Sequence, residues 1–128
     1  MKNILKHIPI FCLTIILLFS FGSCKKEGTG GKSSVSGNVK HHQELIPNAI
    51  VYIKYGATEF PGADVSVYDD KVTSDVNANF EFKDLQKGDY YLYGIGYDFT
   101  GSYSVVGGIG VALKRNQSTI NDIPVTED

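Results

Sequence analysis

The 128-residue chain has no tryptophan, one methionine, four prolines and only two cysteines. Two cysteines cannot build the disulfide framework that holds many small secreted domains together. Positive charge is not in excess either: 12 Lys and Arg stand against 14 Asp and Glu, a net charge of −2. Such a chain lacks the basic stripe that neutralises nucleic-acid phosphates, so no nucleic-acid partner is expected. No window carries apolar residues at i, i+3, i+4 and i+7 over three turns, which argues against helices. There is no Gly-x-Ser-x-Gly nucleophile elbow, and the carboxylates sit on turns or alternate with apolar residues, as on a solvated face. The expectation is a protein that is not an enzyme and needs no cofactor.

What is present begins at the N-terminus. Lys2 and Lys6 are the only charges before an apolar run from Ile8 to Phe21. A helix of that length spans about 21 Å, short of the roughly 30 Å hydrocarbon core of a bilayer. A basic stretch, a short apolar run and then small residues form the pattern of a secretory signal peptide, here residues 1–23. Phe21-Gly22-Ser23-Cys24 resembles the bacterial lipobox, although Phe21 stands where Leu is usual. That resemblance implies cleavage before Cys24, a diacylglyceryl group on its thiol and acylation of its new amino group. One acyl chain holds a protein only marginally, whereas two or three anchor it stably. Cys12 would leave with the signal peptide, and loss of Lys2 and Lys6 would deepen the acidic excess from two to four.

Residues 24–34 read as the lipidated Cys and a flexible tether, because Lys25 to Ser34 contains no apolar residue. Gly31-Lys32-Ser33 has the ending of a phosphate-binding loop, but Lys26 occupies the place of the first glycine and no strand precedes it. From Val35 the chain reads as short strands between turns. Val35, Gly37 and Val39 alternate with polar residues, and Val51, Ile53 and Tyr55 share one face. Phe80 and Phe82 alternate with Glu81 and Lys83. Further strands are expected at Tyr90–Tyr93, Tyr103–Val106, Ile109–Lys114 and Ile120–Val125, with a loop from Gly56 to Asp70 holding a short strand at Val65–Tyr68. Regularly spaced short strands indicate an all-β sandwich over residues 35–128.

Within that region Ser74-Asp75-Val76-Asn77-Ala78-Asn79-Phe80, followed by Leu85-Gln86-Lys87-Gly88-Asp89-Tyr90, is similar to the carboxypeptidase regulatory-like domain. Pro47-Asn48-Ala49-Ile50-Val51 and Val35-Ser36-Gly37-Asn38-Val39 fit the same pattern upstream. The resemblance implies a seven-stranded, antiparallel, transthyretin-like or immunoglobulin-like sandwich acting as a non-catalytic accessory module. Asn48 and Ala78 replace two glycines of the pattern. Ala tolerates a left-handed conformation poorly, so a differently shaped hairpin is expected at Ala78.

Candidate sites are few. Asp75, Asn77 and Asn79 have the spacing that opens a calcium loop, but Phe80 and Gln86 stand where Gly and Glu are needed, which favours a structural turn. Asp69-Asp70 reads as a solvated pair. His41 and His42 are neighbours on an extended chain and point to opposite faces, so no metal is expected there. Asn116-Gln117-Ser118 is a chance glycosylation sequon. All eight tyrosines lie beyond the tether. If Tyr90 and Leu92 face the core, then Tyr91 and Tyr93, with Tyr52, form an outward aromatic face for a protein or glycan partner. The alternative is that these rings pack against cross-strand neighbours. The expected protein is thus a lipoprotein of the cell envelope, by default on the periplasmic face of the outer membrane. It would be membrane-bound through Cys24, with envelope proteins or glycans as partners.

Overall fold

The computed structural model describes residues 25–128, so the signal segment and Cys24 lie outside the described residues. Ten strands follow in chain order: β1 (Thr29–His41), β2 (Glu44–Leu45), β3 (Ile50–Tyr55), β4 (Asp70–Thr73), β5 (Asn79–Leu85), β6 (Gly88–Asp98), β7 (Tyr103–Leu113), β8 (Ser118–Ile120), β9 (Ile123–Pro124) and β10 (Thr126–Glu127). They build two sheets. In the first, β1 pairs antiparallel with β5 and β2, and parallel with β8 and β9. The second has the order β10-β7-β6-β3-β4 and is antiparallel throughout. The fold is an all-β sandwich.

Period-two alternation decides what each strand buries. β3 sends Val51 and Ile53 inward, β5 Phe80 and Phe82, β6 Tyr90 and Leu92, and β7 Val105, Val111 and Leu113. Val35 and Val39 of β1, with Ile123 and Val125, meet them from the other sheet. Fully burying one such side chain contributes about 1.5–3 kcal/mol, which makes this layer the main source of stability. The Tyr90 hydroxyl enters the core with its polarity satisfied: it accepts from Gly28 N at 2.9 Å and donates to Gln86 O at 2.6 Å.

That contact corrects the expected boundary at residue 35. Thr29 to Ser34 belong to β1, and Gly28 is already packed, which leaves Lys25 and Lys26 as the exposed approach to the sandwich. The segment has no apolar residue, yet it folds because backbone pairing and a buried hydroxyl do the work. Ser33 is buried and its Oγ donates to Lys114 O at 2.5 Å.

Other expectations shift as well. Two five-stranded sheets replace the seven antiparallel strands, and two pairings are parallel, because Ser33 and Ser34 clamp the turn after β7 and lead β8 alongside β1. Tyr90–Tyr93 extends through the glycines into one strand, β6, while Tyr103–Val106 and Ile109–Lys114 merge into β7. Residues Val65–Val67 form a single 3-10 turn capped by Asp64, whose Oδ1 accepts from Ser66 N. Ala78 adopts the left-handed conformation after all, at φ 63°, with its methyl buried. Asp75 holds it there: its Oδ1 accepts from Asn77 N at 2.8 Å and Asn79 N at 2.9 Å.

Strand direction gives the sandwich two poles. The start of β1, the end of β5 and the β7–β8 turn share the pole where Lys25 enters, and His41, Asp98 and Tyr103 mark the distal pole.

Candidate functional site

The three tyrosines singled out by alternation do share the outer face of the second sheet. Tyr52 of β3 lies opposite Tyr93 of β6, which lies opposite Gly108 of β7; Tyr91 lies opposite Gly110. An outer sheet face ordinarily carries polar side chains against water. Here it carries rings, and the loop between β3 and β4 folds back over them. Phe60 sits 5.2 Å from the Tyr93 ring and 6.0 Å from the Tyr91 ring, centroid to centroid. Tyr68 stacks on Tyr93 at 5.6 Å and 15°, and meets Tyr52 at 5.7 Å.

The two glycines of β7 make this approach possible. A Cβ at Gly108 would stand 2.6 Å from Cε1 of Tyr91, and one at Gly110 would stand 2.5 Å from the Thr58 carbonyl oxygen. Both are closer than real Cβ contacts permit, so the strand surface under the ring and the loop must be bare. The loop is also tied at its end. Asp69 N donates to Ile53 O at 2.9 Å, Tyr55 N donates to Asp69 Oδ2 at 2.7 Å, and Lys54 Nζ lies 3.5 Å from the same carboxylate. Inside it, the Tyr68 hydroxyl donates to Gly62 O at 2.9 Å.

The outcome corrects the expected open strip. Tyr93 retains only 5 % of its surface, and Tyr52 and Tyr91 are half-buried. Phe60, which was not among the expected residues, is 53 % exposed and forms the solvent edge of the cluster with Tyr91. No spacing rule connects it to the tyrosines, because its place depends on how the loop closes. Burial pushes the Tyr68 phenol up to about 12, with the neighbouring Tyr91 and Tyr93 hydroxyls adding to the effect. Burial raises Tyr91 and Tyr93 too. These phenols therefore act as neutral donors and acceptors over the physiological range. Beside Tyr91, the Lys54–Asp69 pair supplies charge-assisted hydrogen-bonding groups next to an apolar ridge. Such a surface can stack on a flat apolar face and bond its polar rim; it contains no nucleophile–base pair.

The remaining expected residues lie apart. His41 is buried at the distal pole while His42 is exposed, although their rings lie 4.5 Å apart. His41 Nδ1 lies 2.9 Å from Asp98 Oδ2, and Tyr103 meets the imidazole edge-on at 5.4 Å. Asp98 was not visible as a partner, since it is 57 residues distant in the chain. Its other oxygen caps Thr100 N and Gly101 N, and the hydrogen bond from His41 leads the groups that hold its carboxyl below the usual range. Asp75 Oδ1 accepts from the backbone N–H groups of Asn77 and Asn79 within the turn, and Asn79 Oδ1 accepts from Asn38 Nδ2 on the neighbouring strand at 2.7 Å. Among the described residues, no three His, Cys, Asp or Glu side chains gather as a metal site. Asp70 bonds the backbone N–H of Lys71. Asn116 occupies the β7–β8 turn with φ 55°.

No protein-family model and no curated protein matches the chain. A solved structure from Pseudomonas aeruginosa, named a "putative carbohydrate binding protein", is similar in fold, with a TM-score of 0.54 and 14% identity. The match covers 76% of this chain and 90% of that one. At that identity the likeness speaks for the sandwich architecture alone.

Proposed function

We propose that this protein is an envelope lipoprotein, held to the outer membrane through lipid on Cys24, whose sandwich is a non-catalytic binding or assembly module. The observation that carries the binding role is the aromatic cluster of Tyr52, Tyr68, Tyr91, Tyr93 and Phe60 on a sheet face that the core does not use. The resemblance to carboxypeptidase regulatory-like domains supports the same accessory role. The anchoring half is supported by the lipobox-like Phe21-Gly22-Ser23-Cys24 alone. Intact mass of the protein from its native membrane tests it: a mature N-terminus at Cys24 with two or three acyl chains is expected. An unlipidated mass would replace the anchor with a soluble envelope domain.

A glycan is the ligand class favoured within this reading. Pyranose rings present flat C–H faces to aromatic side chains, and Phe60 and Tyr91 offer such a surface beside the Lys54–Asp69 pair. The name of the Pseudomonas aeruginosa neighbour points the same way. Retention on immobilised polysaccharides, abolished by Phe60→Ala while the fold persists, is the expected result. Retention that survives Phe60→Ala and Tyr91→Ala would remove the aromatic ridge from the function.

A further inference from the structure

At the pole where the chain enters, a cleft of about 430 Å³ is lined by Lys25, Lys32, Lys87 and Arg115. No Asp or Glu contributes to its wall. None of the four cations takes part in an ion pair among the described residues, whereas Lys40, Lys54 and Lys83 each have a carboxylate partner. Three acids flank the cleft residues in sequence, Asp84 and Asp89 on either side of Leu85–Lys87 and Glu27, which packs over Gly88, and none of them lines the cleft. A protein with more acidic than basic residues thus lines one cleft with four cations, none of them within ion-pair distance of a carboxylate among the described residues.

The four cationic side chains are exposed, but the backbone that brings them together is held by close contacts and hydrogen bonds. Thr29 and Ser33 both pair with Leu85, so residues 30–32 bulge out of β1. Gly31 lies so close to the Leu85 carbonyl that no side chain fits there, and the bulge turns Lys32 into the cleft wall. Across from it, Ser33 Oγ accepts from Gln117 N at 3.1 Å, and Gln117 Oε1 accepts from Lys114 N at 2.8 Å. These bonds hold the Lys114–Gln117 turn against β1 and set Arg115 beside the bulge. Gln86, whose amide nitrogen lies over Gly30, adds a neutral donor.

We propose that this cleft binds the phosphate of an anionic lipid headgroup. A guanidinium bonds phosphate oxygens in a bidentate fork, and ammonium groups add point charges, which is the donor set a phosphate monoester or diester requires. The place fits a lipid source: residue 25 lines the cleft, and the residue before it is the one expected to carry acyl chains. The lipid source rests on the membrane reading above; the phosphate chemistry of the cleft does not. Binding there would hold this pole toward the bilayer and orient the sandwich with its distal pole outward.

The test uses the protein purified in its native processed form from its membrane in non-ionic detergent. Calorimetric titration compares dihexanoyl phosphatidate, dihexanoyl phosphatidylcholine and inorganic phosphate. Saturable, salt-sensitive binding of phosphatidate is expected, with weaker binding of the zwitterionic lipid. The double variant Lys32→Gln, Arg115→Gln removes two charge-assisted contacts and lowers the phosphatidate affinity by at least about tenfold, the smallest effect if only one of the two contributes. Lys32→Arg and the distant Lys71→Gln keep it. Absence of saturable phosphatidate binding, or an equal loss in Lys71→Gln, overturns the site. Inorganic phosphate binding as tightly as phosphatidate overturns the lipid assignment. The intact mass of the same preparation separates the two readings: unacylated Cys24 with undiminished phosphatidate binding removes the anchor and supports the cleft.

Discussion

Two apolar layers lie on opposite faces of one sheet, and they are closed by different means. On the inner face, Tyr90 and Leu92 are covered by a second sheet and lose all exposure. On the outer face, Tyr91 and Tyr93 are covered by one loop, whose Phe60 remains 53 % exposed. The side chains are of similar kind, and adjacent residues supply both layers. What differs is the lid: a sheet that cannot leave without global unfolding, or a loop held by stacked rings and a few hydrogen bonds. The inner layer is a stability element. The outer layer is closed by a loop, the kind of element that opens at lower free energy than a core sheet and often carries binding surfaces.

Substitutions ought to separate the layers, and the largest loss belongs to the inner one. Leu92→Ala should cost about 2–5 kcal/mol of global stability by urea unfolding, through lost burial and a cavity. Gly110→Val drives a side chain into the Thr58 carbonyl and should cost about 1–3 kcal/mol. Its signature is faster amide exchange across residues 56–69 with protection kept in β1 and β5. Phe60→Ala should cost only about 0.5–1.5 kcal/mol, in the range of an aromatic pair. Equal losses for Phe60→Ala and Leu92→Ala would erase the distinction between the layers.

Proton linkage sharpens the contrast further. Tyr68 titrates at about 12 in the folded protein and at 10.0 when unperturbed. The folded state therefore holds its proton longer, and that stabilisation is complete below the unperturbed value and lost as pH rises to the folded one. Phenolate absorbance should show a late group of tyrosines with Tyr68 among them, since burial raises Tyr91 and Tyr93 as well, and Tyr68→Phe should remove one phenol from that late group. Asp98 behaves oppositely. Its folded carboxyl sits below the ordinary 3.8, so its contribution is present above that value and is lost as pH falls through the lowered one. Asp98→Asn should flatten the acid limb of the stability profile while leaving the alkaline limb unchanged.

The strands that carry the core were legible because each alternates over a buried and an open face. Val51 and Ile53, Phe80 and Phe82, and Tyr90 and Leu92 all face inward as spacing requires. The first six residues of β1 were not legible, since Ser33 folds through hydrogen bonds and not through apolar burial. Ala78 misled for a related reason: its left-handed backbone is held by the Asp75 carboxylate, whose bonds outweigh an unfavourable preference of order 1–2 kcal/mol. The parallel placement of β8 and β9 left no local trace either, because pairing direction follows from where the preceding turn is clamped.

By itself the sequence determined the all-β class, the residues of the inner layer and the face on which Tyr52, Tyr91 and Tyr93 stand. All three follow from the period of the strand, a property of neighbours in the chain. Tertiary structure alone decided that a loop would cover those tyrosines, that Phe60 would become their exposed edge, that His41 would find Asp98, and that four separate cations would share one cleft. Each of those depends on which distant segments meet, and the meeting is set by packing and by hydrogen bonds that no local pattern encodes.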